Sequence, residues 1–281
     1  MFYQFEKITP RITRIWDVSR TAMYLLEGSE KALLVDTGVG VGSLKEAVAS
    51  LTDKPVSVII THGHVDHAMG ASDFDEVYLS PLDEAVYGIH SNFGMRMGYV
   101  AGAATTGADP GLLAQVKAED YLPARDFGSY LPLIPGMKFE LGGLSAEIYA
   151  APGHTPGSVA VLIPEEELLI LGDSCNAFTF LFDGFAPTVA QYRETLLRLL
   201  EESAGKYSRC LFSHGIGEGC ADMIDNVIAV CDDILSGKSD CVPFMGFGGE
   251  KAFIAKAMDF GRFCRADGGE GNVIYDPSKI R

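Results

Sequence analysis

The sequence predicts a layered α/β fold, and three observations lead there. Short apolar or alternating runs recur along the chain in the manner of strands. Helix signals fall between several of them. The histidines and aspartates that stand out as chemistry-bearing lie just past the carboxyl ends of apolar strands, the edge at which sites assemble in layered α/β folds.

Taken in order, Ile12 to Val18, Ala22 to Glu27 and Ala32 to Val35 read as strands, the last two separated by a Gly28-Ser29 turn. Asp36-Thr37-Gly38 then breaks the pattern. Ser43 is placed to cap a helix running through Leu51, with Glu46 three residues on completing a capping box. Pro55 resets the chain, and the β-branched run Val56 to Ile60 reads as a buried strand that delivers Thr61-His62-Gly63-His64. The same grammar returns later, with strands expected over Leu144 to Ala150, Val159 to Ile163, Leu168 to Leu171 and Cys210 to Phe212. Helices are expected over Thr188 to Glu202 and Asp222 to Leu235. Residues 80–130 read as helical but irregular, and residues 241–281 as a glycine-rich tail.

Composition narrows the possibilities. A chain of 281 residues can bury a substantial core, as one large domain or two ordinary ones. Its net charge of −16 repels phosphate backbones, so nucleic acid is not an expected partner. No apolar run approaches the roughly 20 residues of a membrane span, and Met1 to Asp17 lacks the continuous apolar stretch of a secretory signal. The expectation is a cytoplasmic protein acting on a small molecule, with no membrane partner; a homo-oligomer is left open. Of the six cysteines no two form a C-x-x-C, so free thiols are expected, and Cys175 and Cys210 read as structural.

His62-x-His64-x-Asp66-His67 is the strongest chemical signal. Neutral imidazoles and carboxylate oxygens are the nitrogen and oxygen donors that zinc accepts, and the glycine between His62 and His64 lets both project from one tight loop. His154, Asp173 and His214, each flanked by glycine, offer further ligands. Five of the six histidines thus occupy strand-end positions, while His90 is read as non-ligating.

The ordered blocks Asp36-Thr37-Gly38, His62-Gly63-His64-Val65-Asp66-His67, Gly153-His154-Thr155, Gly172-Asp173 and His214-Gly215 resemble the metallo-β-lactamase superfamily over residues 12–235. The resemblance implies a four-layer αβ/βα sandwich, a mixed α+β and α/β class, with metals at one edge of two packed sheets. It implies His62, His64 and His154 on a first ion, Asp66, His67 and His214 on a second, Asp173 bridging both, and Asp36 as a buried support. It also implies a catalytic domain over residues 1–240, with residues 80–130 inserted near the site. Residues 241–281 would form an extension packed on the domain or at a subunit contact. The bridging aspartate and the absence of an export signal make the chain more similar to the thioesterase, lactonase and phosphodiesterase branches, glyoxalase II among them, than to true β-lactamases. His64, where the flavodiiron branch has glutamate, argues against redox chemistry.

The expected activity is therefore hydrolysis of a small thioester, lactone or ester with two divalent cations, zinc first and iron or manganese as alternatives, which acidify a shared water. Asp66 is the candidate to orient the nucleophile or pass on its proton. A small phosphodiester is the alternative substrate, and a non-catalytic metal-binding or sensing protein is the alternative from another class. Tyr87, His90, Phe93, Met95, Arg96, Met97 and Tyr99 are candidates for pocket lining or for the packing of an inserted helical pair, and Phe244, Phe247, Lys251, Phe253, Arg262 and Arg265 for a clamp on an anionic substrate or a subunit contact.

Overall fold

The structure is a computed structural model that describes residues 2–246, 249, 251–259 and 264–281. Phe247, Gly248 and Arg262 of the tail lie outside the described residues. The chain divides into two compact units, Met1–Glu147 and Ile148–Arg281.

The first unit is built on a seven-stranded sheet whose spatial order follows the chain. Its strands are β1 (Gln4–Thr9), β2 (Ile12–Trp16), β3 (Ala22–Glu27), β4 (Ala32–Val35), β5 (Val56–Ile59), β6 (Val77–Leu79) and β7 (Leu131–Pro132). The first four run antiparallel, joined by short turns, and β4 to β7 run parallel. Parallel neighbours need crossovers. Here α1 (Leu44–Ala49) joins β4 to β5, while α2 (Glu84–His90), α3 (Phe93–Gly102) and α4 (Pro110–Leu113) lie between β6 and β7. The β3 and β4 runs are apolar because their residues are buried almost throughout, and Leu25, Leu34 and Val58 pack with Leu44 and Val48 of α1 in one core cluster. Register pairs Val35 of β4 with Ile59 of β5, so the loops that follow both strands leave the sheet side by side.

Two local expectations change. Residues 4–9 show no apolar alternation, yet they form β1, an edge strand largely exposed to solvent. Ser43 does cap α1, accepting from the Glu46 amide at 3.2 Å, but Asp73 completes the cap. Its Oδ2 takes the Ser43 hydroxyl at 3.0 Å and the Lys45 amide at 3.1 Å.

The boundary between the units falls inside β9 (Ser145–Ala150), which pairs with β8 (Lys138–Glu140) in a six-stranded sheet. In the second unit that sheet continues through β10 (Val159–Ile163), β11 (Leu168–Gly172), β13 (Arg209–Phe212) and β14 (Glu218–Cys220). Helices α5 (Val189–Ser203) and α6 (Met223–Leu235) carry apolar stripes, among them Tyr192, Leu196 and Leu199 on one and Ile224, Val227 and Cys231 on the other. These stripes pack in one core with Leu169, Leu171 and Phe212 of the sheet. A second, four-stranded sheet joins β12 (Thr179–Leu181) to three tail strands, β19 (Val273–Tyr275), β16 (Lys251–Ile254) and β15 (Val242–Met245), in that order. The short ribbon β17 (Met258–Asp259) and β18 (Cys264–Arg265) accompanies it. These strands run two to four residues between glycines, too short for periodicity to mark them.

Arg265, expected as part of an anion clamp, is engaged within the tail. Its Nε donates to Asp267 at 2.9 Å and its Nη1 to the carbonyls of Glu270 and Gly271. The guanidinium holds the Asp267 carboxyl down at about 2. Among the described residues no helix is long and apolar enough to cross a membrane.

Two outcomes follow from this packing. Gly40 sits at φ +71°, where a Cβ would overlap the Met69 carbonyl and the Arg96 guanidinium. Gly40→Ala is expected to cost about 2 kcal/mol or more, seen in urea denaturation as a lower midpoint at unchanged slope. Burial pushes the Cys210 and Cys231 thiols up to about 12, whereas Cys241 and Cys264 are exposed. Native protein at pH 8 should therefore be alkylated at Cys241 and Cys264 and protected at Cys210 and Cys231, as read by mass spectrometry of peptides.

Candidate metal centre

In the first unit the histidine loop hangs from the end of β5, and Asp36, one residue past β4, secures it. The Asp36 side chain is 1% exposed as a residue and accepts three hydrogen bonds. Oδ1 takes the Thr61 amide at 2.7 Å, while Oδ2 takes the Thr61 hydroxyl at 2.8 Å and Nδ1 of His67 at 2.9 Å. A carboxylate only accepts, so Nδ1 of His67 carries the proton and Nε2 presents its lone pair. The Thr61 hydroxyl spends its proton on Asp36 and so accepts from Nδ1 of His62, 3.1 Å away. One carboxylate therefore sets the tautomer of two imidazoles, one directly and one through threonine. Asp36 holds φ +66° to do so, a left-handed backbone costing on the order of 1 kcal/mol that three hydrogen bonds over-determine.

The loop backbone has its own anchors. Oδ2 of the buried Asp83 takes the Gly63 amide at 2.7 Å. Nδ1 of His90 takes the Val65 amide at 3.3 Å, and its ring stacks on His64 with centroids 4.2 Å apart. His90, read as non-ligating, thus supports the loop that carries His64. The rings of His62 and His67 lie 4.0 Å apart, those of His62 and His64 4.7 Å. Oδ2 of Asp66 stands 3.5 Å from Nε2 of His67 and accepts from the hydroxyls of Tyr99 at 2.6 Å and Thr21 at 3.4 Å.

In the second unit His154 follows β9, Asp173 follows β11 and His214 follows β13. Nδ1 of His154 lies 3.0 Å from the Phe180 carbonyl, which can only accept, so its Nε2 is again the lone-pair face. Oδ2 of Asp173 lies 3.1 Å from Nε2 of His214 and 3.8 Å from Nε2 of His154, and Asn176 donates to its Oδ1 at 3.4 Å. His214 is the most accessible of the three, with its side chain 36% exposed.

These donors suit a divalent cation. Two ligands of one tetrahedral zinc, each bonded at about 2.0–2.1 Å, stand about 3.4 Å apart, and the pairs at 3.1, 3.5 and 3.8 Å bracket that value. Nε2 of His62, His64, His67 and His154 is shielded from solvent. Among the described residues, the side chains grouped so that they could hold metal are His62, His64, Asp66 and His67 in the first unit and His154, Asp173 and His214 in the second. Cys175 is not among them; burial raises its thiol well above the ordinary value.

Sequence reasoning missed Asp83, Thr21 and the Phe180 carbonyl, and nothing at those positions signals a role. Arg96, a candidate for pocket lining or for packing of the inserted helices, takes the packing role. That guanidinium is buried and must use its donors, which it spends on the carbonyls of Leu122, Val39 and Gly40 at 2.6, 3.0 and 3.0 Å. Phe93, Met95 and Met97 are exposed on α3.

Residues 16–214 match the family model described as the metallo-beta-lactamase superfamily. The chain is 27% identical over 168 residues to the bovine (Bos taurus) acyl-coenzyme A thioesterase MBLAC2, a match covering 55% of this chain and 58% of that relative. It is 26% identical over 200 residues to the probable metallo-hydrolase YqgX of Bacillus subtilis, covering 68% of this chain and 83% of the other. Among solved structures, a metallo-beta-lactamase from Pontibacter korlensis superposes with a TM-score of 0.59 at 17% identity, covering 81% of this chain and 97% of that one. At that identity the likeness speaks for the fold alone.

Asp36→Asn replaces one acceptor oxygen by an amide that cannot receive the His67 or Thr61 proton. Loss of such a support is expected to weaken metal binding about 10–100-fold, measurable by competition with a chromogenic chelator.

Proposed function

This chain belongs to the metallo-β-lactamase superfamily of hydrolases, and on that footing we propose that it hydrolyses a small thioester with two divalent cations. His62, His64 and His154 would hold one ion, Asp66, His67 and His214 the other, with Asp173 shared. Zinc fits a donor set of imidazoles and carboxylates without thiolate. When bound, such a pair supplies an acidified water and polarises the substrate carbonyl.

The observation that carries this reading is the tautomer control around the loop. Asp36 and Thr61 bind Nδ1 of His67 and His62, and the Phe180 carbonyl binds Nδ1 of His154, so three imidazoles are set to present Nε2. Such outer hydrogen bonds orient metal ligands and raise their basicity. The choice of thioester rests on relatives: besides the bovine thioesterase, the chain is 21% identical over 180 residues to the atrochrysone carboxyl ACP thioesterase of Aspergillus terreus.

This chain's own groups then have distinct tasks. Asp66 orients the attacking water. His62, His64, His67, His154 and His214 would hold the ions. Water oxygen bonds to the carbonyl carbon, the carbon–sulfur bond breaks, and the thiol leaves with a proton.

Metal analysis of the purified protein should return about two ions per chain. In a panel of an acyl-coenzyme A thioester, a homoserine lactone and bis-p-nitrophenyl phosphate, the thioester should turn over fastest, and Asp66→Asn should lower kcat/KM about 100-fold or more. Preference for the phosphate diester would replace thioester by phosphodiester as the substrate class, and one ion or none would remove the two-metal reading.

A further inference from the structure

Tyr99 stands outside the ligand motif, on α3 within residues 80–130, yet its hydroxyl donates to Oδ2 of Asp66 at 2.6 Å. That oxygen lies 3.5 Å from Nε2 of His67, close to the separation of two ligands on one tetrahedral ion. The Thr21 hydroxyl reaches the same oxygen at 3.4 Å. Thr21 is itself fixed, since its amide donates to Oδ1 of the buried Asp17 at 3.0 Å. The Ser19 hydroxyl, which also binds Asp17 at 2.7 Å, lies 3.2 Å from the Thr21 hydroxyl.

An aspartate carboxylate turns about a broad, roughly two-fold terminal torsion, so rotation alone could swing its plane, and with it the oxygen beside His67, out of line. Hydroxyls from two separate elements, the β2–β3 hairpin and α3, remove that freedom. We propose that Tyr99 is a positioning residue of the metal centre, its phenol holding Oδ2 of Asp66 in ligand register with Nε2 of His67. The inference rests on the metal-binding reading above and extends it to a residue of the inserted segment. A carboxylate oxygen only accepts, so the phenol is the donor of this hydrogen bond.

Removing the phenol has two opposed effects. Oδ2 regains electron density, which favours the ion, and loses its orientation, which disfavours it. Removal of such supports typically costs about 10–100-fold in affinity, so the orientational loss dominates.

The test is a stepwise zinc titration of the metal-stripped full chain against a competing chelator, paired with the visible spectrum of the cobalt-loaded protein. Wild type should show two steps. Tyr99→Phe should leave one unchanged, weaken the other about 10–100-fold, and alter the cobalt spectrum, which a merely space-filling ring would not do. Incorporation of 3-fluorotyrosine at position 99, which keeps the shape and strengthens the donor, should retain the second step. Should Tyr99→Phe fail to fold, Thr21→Val, lacking only the longer bond, should weaken that same step by less. Two unchanged steps and an unchanged spectrum in Tyr99→Phe would overturn the role of Tyr99 while leaving the metal site intact. A wild type that takes up no zinc would instead remove the metal-binding reading, and this inference with it.

Discussion

Taking a carboxylate out of water is costly unless donors replace the lost hydration, and Asp36 meets that condition with groups that then depend on it. Its three hydrogen bonds reach the Thr61 amide, the Thr61 hydroxyl and the His67 ring. The loop after β5 cannot shift without leaving a buried charge short of partners. Because β4 and β5 pair in parallel, Asp36 and Thr61 emerge next to one another. The strand register, the left-handed backbone at Asp36 and the direction of two imidazoles are therefore one constraint seen at three scales.

Much of the scaffold was legible because burial writes itself into residue type. The runs Ala22 to Glu27, Ala32 to Val35 and Val159 to Ile163 are the observed β3, β4 and β10 to the residue, and α5 and α6 begin within one residue of their expected starts. The missing elements are those that are exposed or too short to carry a pattern. The exposed edge strand β1 has no apolar face, and the tail strands are held by pairing with β12 and with one another, which no local window contains.

The site divides along the same line. Histidines and aspartates in a tight spacing announce themselves by type. Their partners do not: Asp36 and His67 are 31 residues apart, Tyr99 and Asp66 33, His154 and Phe180 26. Tyr99 and His90 were legible only as possible lining of a pocket, whereas both point their polar atoms at the loop. Arg96 takes the packing alternative. A long cationic side chain in an irregular helix suggests a ligand contact, but a guanidinium among backbone carbonyls fastens the segment to the loop after β4.

The hydrogen bond from His154 to Phe180 comes from a main-chain oxygen. Every amino acid, proline included, carries that oxygen, so the identity of residue 180 is invisible to it. What matters is the placement of β12, which is set by its register with β19 near the end of the chain. Point substitutions at 180 should therefore pass unnoticed by the imidazole, while a single-residue insertion or deletion in either strand would slide the acceptor away. The support of this imidazole is thus inherited as chain length, and a residue-by-residue comparison of homologues would not detect it.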